Sequence, residues 1–323
     1  TGAFSVNNGT GGALPNEASS ATNPTVLPNR ANFDDGMGGA ANTVALITAS
    51  TAKLIVDDNS RISLSNNDTS ATGGTNSTSG NTIFGYLAGD GLDGTSNAGY
   101  DNVLIGHNAG AAVTTADFNV YIGMGAGGQN PSGGSNIAIG RNAMFGADGG
   151  ESSNVVIGNA ASASVNSATW ADNVIIGDGA GTGGAAAMIG CIAIGKDALD
   201  ATGSTDVTGA IAIGTSSQTA MTADGANTMI GHNSGMALMT GVTNTALGYH
   251  AMKAAGAVES NNVAIGSHSM SACDEGSNGT IDYNIAIGKD ALTGGDLGTS
   301  TAQLQKNIAI GGNALNSTGT ALN

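Results

Sequence analysis

Asn284-Ile285-Ala286-Ile287-Gly288-Lys289-Asp290-Ala291-Leu292 reads NIAIGKDAL, and the chain states this unit, with variations, thirteen times. NIAIGGNAL runs from Asn307 to Leu315, NIAIGRNAM from Asn136 to Met144 and NVLIGHNAG from Asn102 to Gly110. The unit's glycine recurs at Gly85, Gly106, Gly123, Gly140, Gly158, Gly177, Gly195, Gly214, Gly231, Gly248, Gly266, Gly288 and Gly311. The intervals between them are 21, 17, 17, 18, 19, 18, 19, 17, 17, 18, 22 and 23 residues. A floor of 17 with additions is the mark of a solenoid, in which each coil has a fixed minimum and optional loops.

Each position in the unit carries a structural expectation. The residue before the glycine is Ile in eleven copies, and the residue three before it is always Val, Ile or Thr. These two share one face of a strand, because side chains alternate with period two. They are expected to fill the coil, as Ile285 and Ile287 would. The residue between them is never charged and is Ala in seven copies: Ala138, Ala193, Ala212, Ala246, Ala264, Ala286 and Ala309. A strand apolar on both faces is buried on both, so these seven are expected to meet a neighbouring subunit of a homo-oligomer.

Three residues after the glycine stands Ala or Ser in every copy, and the next residue is Gly in five copies and Met or Leu in six. That pair reads as a tight corner followed by a core residue. The glycine itself is expected in a conformation that a Cβ would strain, or where backbones approach closely. Asn opens eleven units, with Cys191 and Ala210 in the other two. Stacked asparagines hydrogen-bond along a solenoid as polar ladders do. Cys191 then reads as a small packed thiol in a ladder slot, unbonded to Cys273.

Composition agrees with thin repetitive β-structure. Gly contributes 54 of 323 residues, aromatics 3% and charged residues 10%, which leaves little volume for a thick core. The formal charge of −16, with eight scattered basic residues, disfavours nucleic acid and anionic membranes as partners. No apolar run is long enough to span a membrane. The two cysteines make neither a disulfide framework nor a metal cluster, and a start at Thr1 without Met is what a processed or truncated product would show.

Upstream of the repeats, residues 1–41 hold three of the four prolines and read as an extended or flexible arm. Residues 42–80 contain the short β-like runs NTVALITAS, AKLIVDD and RISLS and read as a small β-collar and linker. Residues 81–323 form the repeat domain.

The unit Asn-x-[Ala/Val]-Ile-Gly-x-x-[Ala/Ser] resembles the head repeats of trimeric autotransporter adhesins, the YadA-like head, which also occur in phage tail fibres. The resemblance covers residues 81–315. It implies a left-handed parallel β-roll of about 13 coils, three chains around a common axis, and the apolar outer face at the trimer interface. The lead-in LIVDDNSRISLSNND followed by NTIFGYLAG is closer to the virus-type fibres. The coils are longer than the adhesin unit, and the chain has no recognisable membrane anchor, coiled-coil stalk or self-cleaving chaperone domain.

The expected function is therefore a non-enzymatic structural fibre of a virion that takes part in host attachment. Its partners would be two further copies of itself, other virion proteins and a host-surface glycan or protein. A bacterial surface adhesin or extracellular filament subunit is the alternative, and a polysaccharide depolymerase a third reading. Loop carboxylates such as Asp148, Glu151, Asp206 and Asp282 lack the aromatics and basic residues that glycan-cleaving sites bring. No cofactor, metal or catalytic group is expected.

Trp170, Tyr100, Phe118 and Tyr283 lie in inserts or just before strands and are candidate receptor contacts. The longest inserts, 271–283 and 293–306, are candidates for variable surface features. His107, His232, His250 and His268 all fall just after repeat glycines, and the last three belong to consecutive coils. They read as exposed turn residues, with a metal or pH-sensing ladder as the sharper alternative.

Overall fold

The computed structural model describes residues 80–316, apart from 93–98, 168, 184–186, 201–205, 223–224, 255–258, 274–279 and 295–302. Upstream of residue 80 it describes the backbone of four strands: β1 (Gly36–Gly38), β2 (Val44–Thr48), β3 (Thr51–Val56) and β4 (Ser60–Leu64). The first of these lies within the stretch expected to be an arm and pairs antiparallel with β2, which pairs antiparallel with β3. Residues 1–35 lie outside the described residues.

The described fold is all-β. One sheet carries fourteen strands, of which β4 is antiparallel to β5 (Thr82–Tyr86) and the remaining pairs are parallel. Thirteen parallel rungs therefore stack, one per repeat, from β5 to the strand Ile308–Ile310. The register is constant: Val103 pairs Val120, Val120 pairs Ile137, and Ile285 pairs Ile308. A second, broken line of rungs runs along another side, pairing Met188–Ile189 with Val207–Thr208 and Thr280–Asp282 with Gln303–Gln305. This is a parallel β-solenoid.

The repeat glycine behaves as expected. At Gly288, φ is +134°, and a Cβ there would lie 2.5 Å from the carbonyl oxygen of Gly311 on the next coil. The same close approach recurs from coil to coil, so no larger residue fits. The chain then turns through left-handed positions two and four residues after the glycine, for example Asn142 (φ 55°) and Met144 (φ 54°). Each corner is pinned to its neighbours by backbone bonds, such as Asp290 N–H to Ser267 O (3.0 Å) and Leu292 N–H to Ala314 O (2.8 Å).

The asparagine ladder is present in two runs. Asn262 Oδ1 accepts from the backbone N–H (3.0 Å) and side-chain Nδ2 (3.1 Å) of Asn284, while Asn262 Nδ2 donates to Asn244 Oδ1 (3.2 Å) and to Ile281 O (2.7 Å). Cys191 takes a ladder slot: its N–H donates to Asn173 Oδ1 (2.9 Å) and its thiol to Val207 O (3.4 Å). Both cysteines are buried thiols outside any disulfide.

The strand faces are the reverse of the sequence expectation. In the rung Ile285–Ile287 the middle Ala286 is fully buried within the single chain and both isoleucines are part-exposed. The same holds for Ala138, Ala193, Ala212, Ala246, Ala264 and Ala309, so none of the seven can be an intersubunit contact. The physical reason lies six residues downstream. Where the middle residue is Ala, the left-handed corner position four after the glycine is large: Met144, Leu199, Met252, Met270, Leu292 and Leu315, with Gln218 the polar exception. Where the middle residue is large, the corner is Gly: Ile83 with Gly89, Leu104 with Gly110, Tyr121 with Gly127, Ile175 with Gly181 and Met229 with Gly235. Val156 with Ser162 is the intermediate pair.

A Cβ on Gly110 would sit 2.7 Å from Leu104 Cδ2, one on Gly235 would sit 2.6 Å from Met229 Sδ, and one on Gly127 would enter the Tyr121 ring. Each coil thus has one interior slot, filled by a single large side chain that comes from either the strand or the corner. Interiors pack at near-crystalline density, so two large residues, or none, are excluded.

Candidate functional site

Because the middle residue points inward, the outward face of the sheet is lined by the residues that flank it. One column runs Val103, Val120, Ile137, Val155, Val174 and onward to Ile308; the other runs Ile105, Ile122, Ile139, Ile157, Ile176 and onward to Ile310. These side chains are part-exposed or exposed, and Phe84 and Leu247 continue the second column. Thirteen rungs about 4.8 Å apart make a strip roughly 58 Å long and about 10 Å wide. Thr82, Thr228 and Thr245 interrupt the first column, so the strip is roughly 600 Å² of largely aliphatic surface, at the upper limit of what monomeric proteins leave open. A stable interface would take about 800 Å² from each partner, more than this strip offers by itself.

One border is the residue before the ladder asparagine. It sits in the left-handed region at Phe118 (φ 60°) and Tyr283 (φ 59°), which are 61% and 56% exposed. Tyr100 is 36% exposed, and its backbone N–H donates to Asp117 Oδ1 (2.7 Å). Tyr100 and Phe118 are brought together on neighbouring coils through Phe118 N–H to Tyr100 O (2.9 Å). Tyr283 lies nine rungs from Phe118, roughly 43 Å away. Trp170 is not a surface contact. It is fully buried in the core cluster, and its backbone carbonyl accepts from Ser152 N–H and Asn154 Nδ2. In a chain with few large residues, the one indole is worth more as core volume than as a surface anchor.

The other border is the residue after the glycine, where Tyr86, His107, His232 and Tyr249 stand. Tyr86 packs on His107 at 5.3 Å between ring centroids. His232, Tyr249, His250 and His268 form one continuous stack over three coils. The last three histidines line one edge over consecutive coils. The two tyrosines were not singled out in the sequence, although each occupies the same offset from a repeat glycine. Among the described residues no group of three or more His, Cys, Asp or Glu could hold a metal ion.

Three of the loop carboxylates accept from the backbone of their own loop or of the adjacent coil. Asp206 Oδ1 accepts from Ala187 N–H (3.0 Å) and Asp282 Oδ1 from Ser260 N–H (2.8 Å). Glu151 is buried and accepts from the N–H groups of Asp148 (3.1 Å) and Gly149 (3.0 Å). Burial outweighs those bonds and pushes its carboxyl above the ordinary value. Of the long inserts, 274–279 and 295–302 lie outside the described residues. No helix among the described residues is long and apolar enough to cross a membrane. No protein-family model, no curated protein and no solved structure matches the chain.

Proposed function

We propose that the chain is a non-enzymatic structural fibre protein of a virion, a tail fibre or similar appendage, that assembles as a homotrimer and takes part in host-surface attachment. The observation that carries this reading is the outward face, two columns wide over thirteen rungs and apolar at every position but Thr82, Thr228 and Thr245. In a chain with net charge −16 such a strip is an assembly surface, because exposing it to water is costly and covering it with identical copies is the economical remedy. The number three, the left-handed coil and the virion location come from the resemblance to the YadA-like head repeat in phage fibres. Attachment would fall to the surface borders and inserts, against a host glycan or protein, with other virion proteins as structural partners.

Light scattering on the purified chain tests the assembly. The expected mass is three times 31.1 kDa. Replacing outward residues on three rungs (Ile137→Asp, Ile192→Asp and Ile211→Asp) is expected to give a folded monomer, since each puts a charge on the shared face and leaves the interior slot untouched. A wild-type monomer would sink the assembly reading. Failure of the assembled protein to adhere to any bacterial host, in a binding assay with labelled fibre, would sink the attachment role.

A further inference from the structure

The ring stack on the border of the aliphatic face is used neither by the fold's ladder nor by its interior slots. It is built from three consecutive coils. His232 follows Gly231, Tyr249 and His250 follow Gly248, and His268 stands two residues after Gly266. Ring centroids are 5.7 Å apart for His232 and His250 and 5.0 Å for His250 and His268. Tyr249 stacks on His250 at 3.8 Å and touches His232 at 5.6 Å and His268 at 5.3 Å. His250 and His268 project from left-handed corner positions, with φ 59° and 58°, and are part-buried.

The polar partners of these rings are neutral. The Asn233 amide nitrogen lies 3.3 Å from His250 Nε2, and the Ser267 hydroxyl 2.9 Å from His268 Nδ1. The surrounding charges do not favour an imidazolium. Lys253, whose N–H donates to His250 O, adds a positive charge to the same coil. On the following coil the nearest charges are Lys289 and Asp290, paired with each other at 3.2 Å. On the preceding coil Thr215 and Ser216 occupy the matching positions and carry no charge. Among the described residues no carboxylate forms an ion pair with any of the three imidazoles.

We propose that this stack is an acid-sensitive latch: neutral imidazoles hold the corners of three consecutive coils together, and their protonation loosens those coils and the stretch of aliphatic face beside them. Imidazolium rings at His250 and His268, 5.0 Å apart and part-buried with Lys253 on the same coil, repel each other, and among the described residues no carboxylate is ion-paired to either. Burial first, then Lys253, His268 and His232, push the His250 imidazole below its ordinary value. The folded coils therefore bind fewer protons than the unfolded chain. Stability is complete above about pH 6.5 and is lost as pH falls through the folded value. Loosening of the coils stands on the stack alone; loosening of the assembled face rests on the assembly proposed above.

Hydrogen exchange on the full chain, at about pH 7.5 and about pH 5 and corrected for intrinsic rates, tests the latch. Exchange in Thr228–Ile230, Thr245–Leu247 and Val263–Ile265 is expected to accelerate about tenfold per pH unit while the His250 imidazole stays unprotonated in the fold. Val174–Ile176, remote from the stack, serves as the internal reference. The variant H232N/H250N/H268N should abolish the acceleration, since Asn keeps a polar side chain, tolerates the left-handed corner and does not titrate. Equal acceleration in that variant, or none in the wild type, overturns the proposal. Should the triple variant fail to fold, H250N alone carries the same test at the central ring. Light scattering on the same samples separates the two readings: a monomer at neutral pH refutes the assembly, and the exchange data still decide the latch.

Discussion

Exchanging the two members of one interior slot is the most direct test of how the coil is filled. Ala246 and Met252 share a coil, and the coil before it carries the reverse arrangement, Met229 with Gly235. Met252→Gly removes a fully buried side chain. Loss of a buried Met costs about 2–5 kcal/mol, offset by about 1 kcal/mol because Gly relieves the left-handed backbone at φ 52°. The net expectation is a loss of about 1–4 kcal/mol. Ala246→Met alone puts a second large side chain into a filled slot and costs about 1–3 kcal/mol.

The double variant copies the preceding coil. It is expected to lose less than about 1.5 kcal/mol, as volume-conserving core exchanges do. The coupling between the two sites is then at least about 0.5 kcal/mol, and about 3 kcal/mol at the middle of these ranges, in favour of the pair. Urea unfolding followed by circular dichroism, at one fixed protein concentration so that assembly does not move the midpoint, gives the three differences. Exchange protection of Thr245–Leu247 localises them to the coil. Additive costs in the double variant would refute the shared slot, and with it the physical reason given for the inward alanine.

Two further outcomes follow from the polar interior. Asn262→Ala would orphan Ile281 O and the N–H of Asn284, at about 1–3 kcal/mol for each buried group, so urea unfolding should show a loss of about 2–6 kcal/mol. Gln218 is buried in the slot opposite Ala212 with neither side-chain polar atom bonded, so Gln218→Leu should stabilise the roll by about 1–3 kcal/mol; an unchanged or lower thermal midpoint would mean that a polar partner has been overlooked.

Local backbone demands were legible because they are demands on single residues. Gly288 is glycine since the next coil's carbonyl occupies the place of a Cβ, and a glycine at every repeat announces such a site without any knowledge of the neighbour. Asn284 is asparagine since one side chain must both donate to and accept from the coils above and below it. Stacking those requirements at a floor of 17 residues yields rungs, corners and the parallel solenoid. The edge position of His232, His250 and His268 followed from the same spacing.

The identity of the inner face was not legible, because a three-residue strand apolar at every position gives period two nothing to separate. Ile285, Ala286 and Ile287 fit either orientation locally, and bulk alone favours turning the isoleucines inward. The closed coil reverses that preference. Its corner sends Leu292 into the interior, the space left opposite holds only an alanine, and the isoleucines are turned out to form the aliphatic face. Trp170 was misread for a related cause: an insert residue in the sequence becomes core when its loop folds back over the coil. The sequence by itself determined which residues are strand, corner and ladder. Only the tertiary structure decided which side of each strand is inside, because that choice depends on the volume of a single slot shared by residues six positions apart.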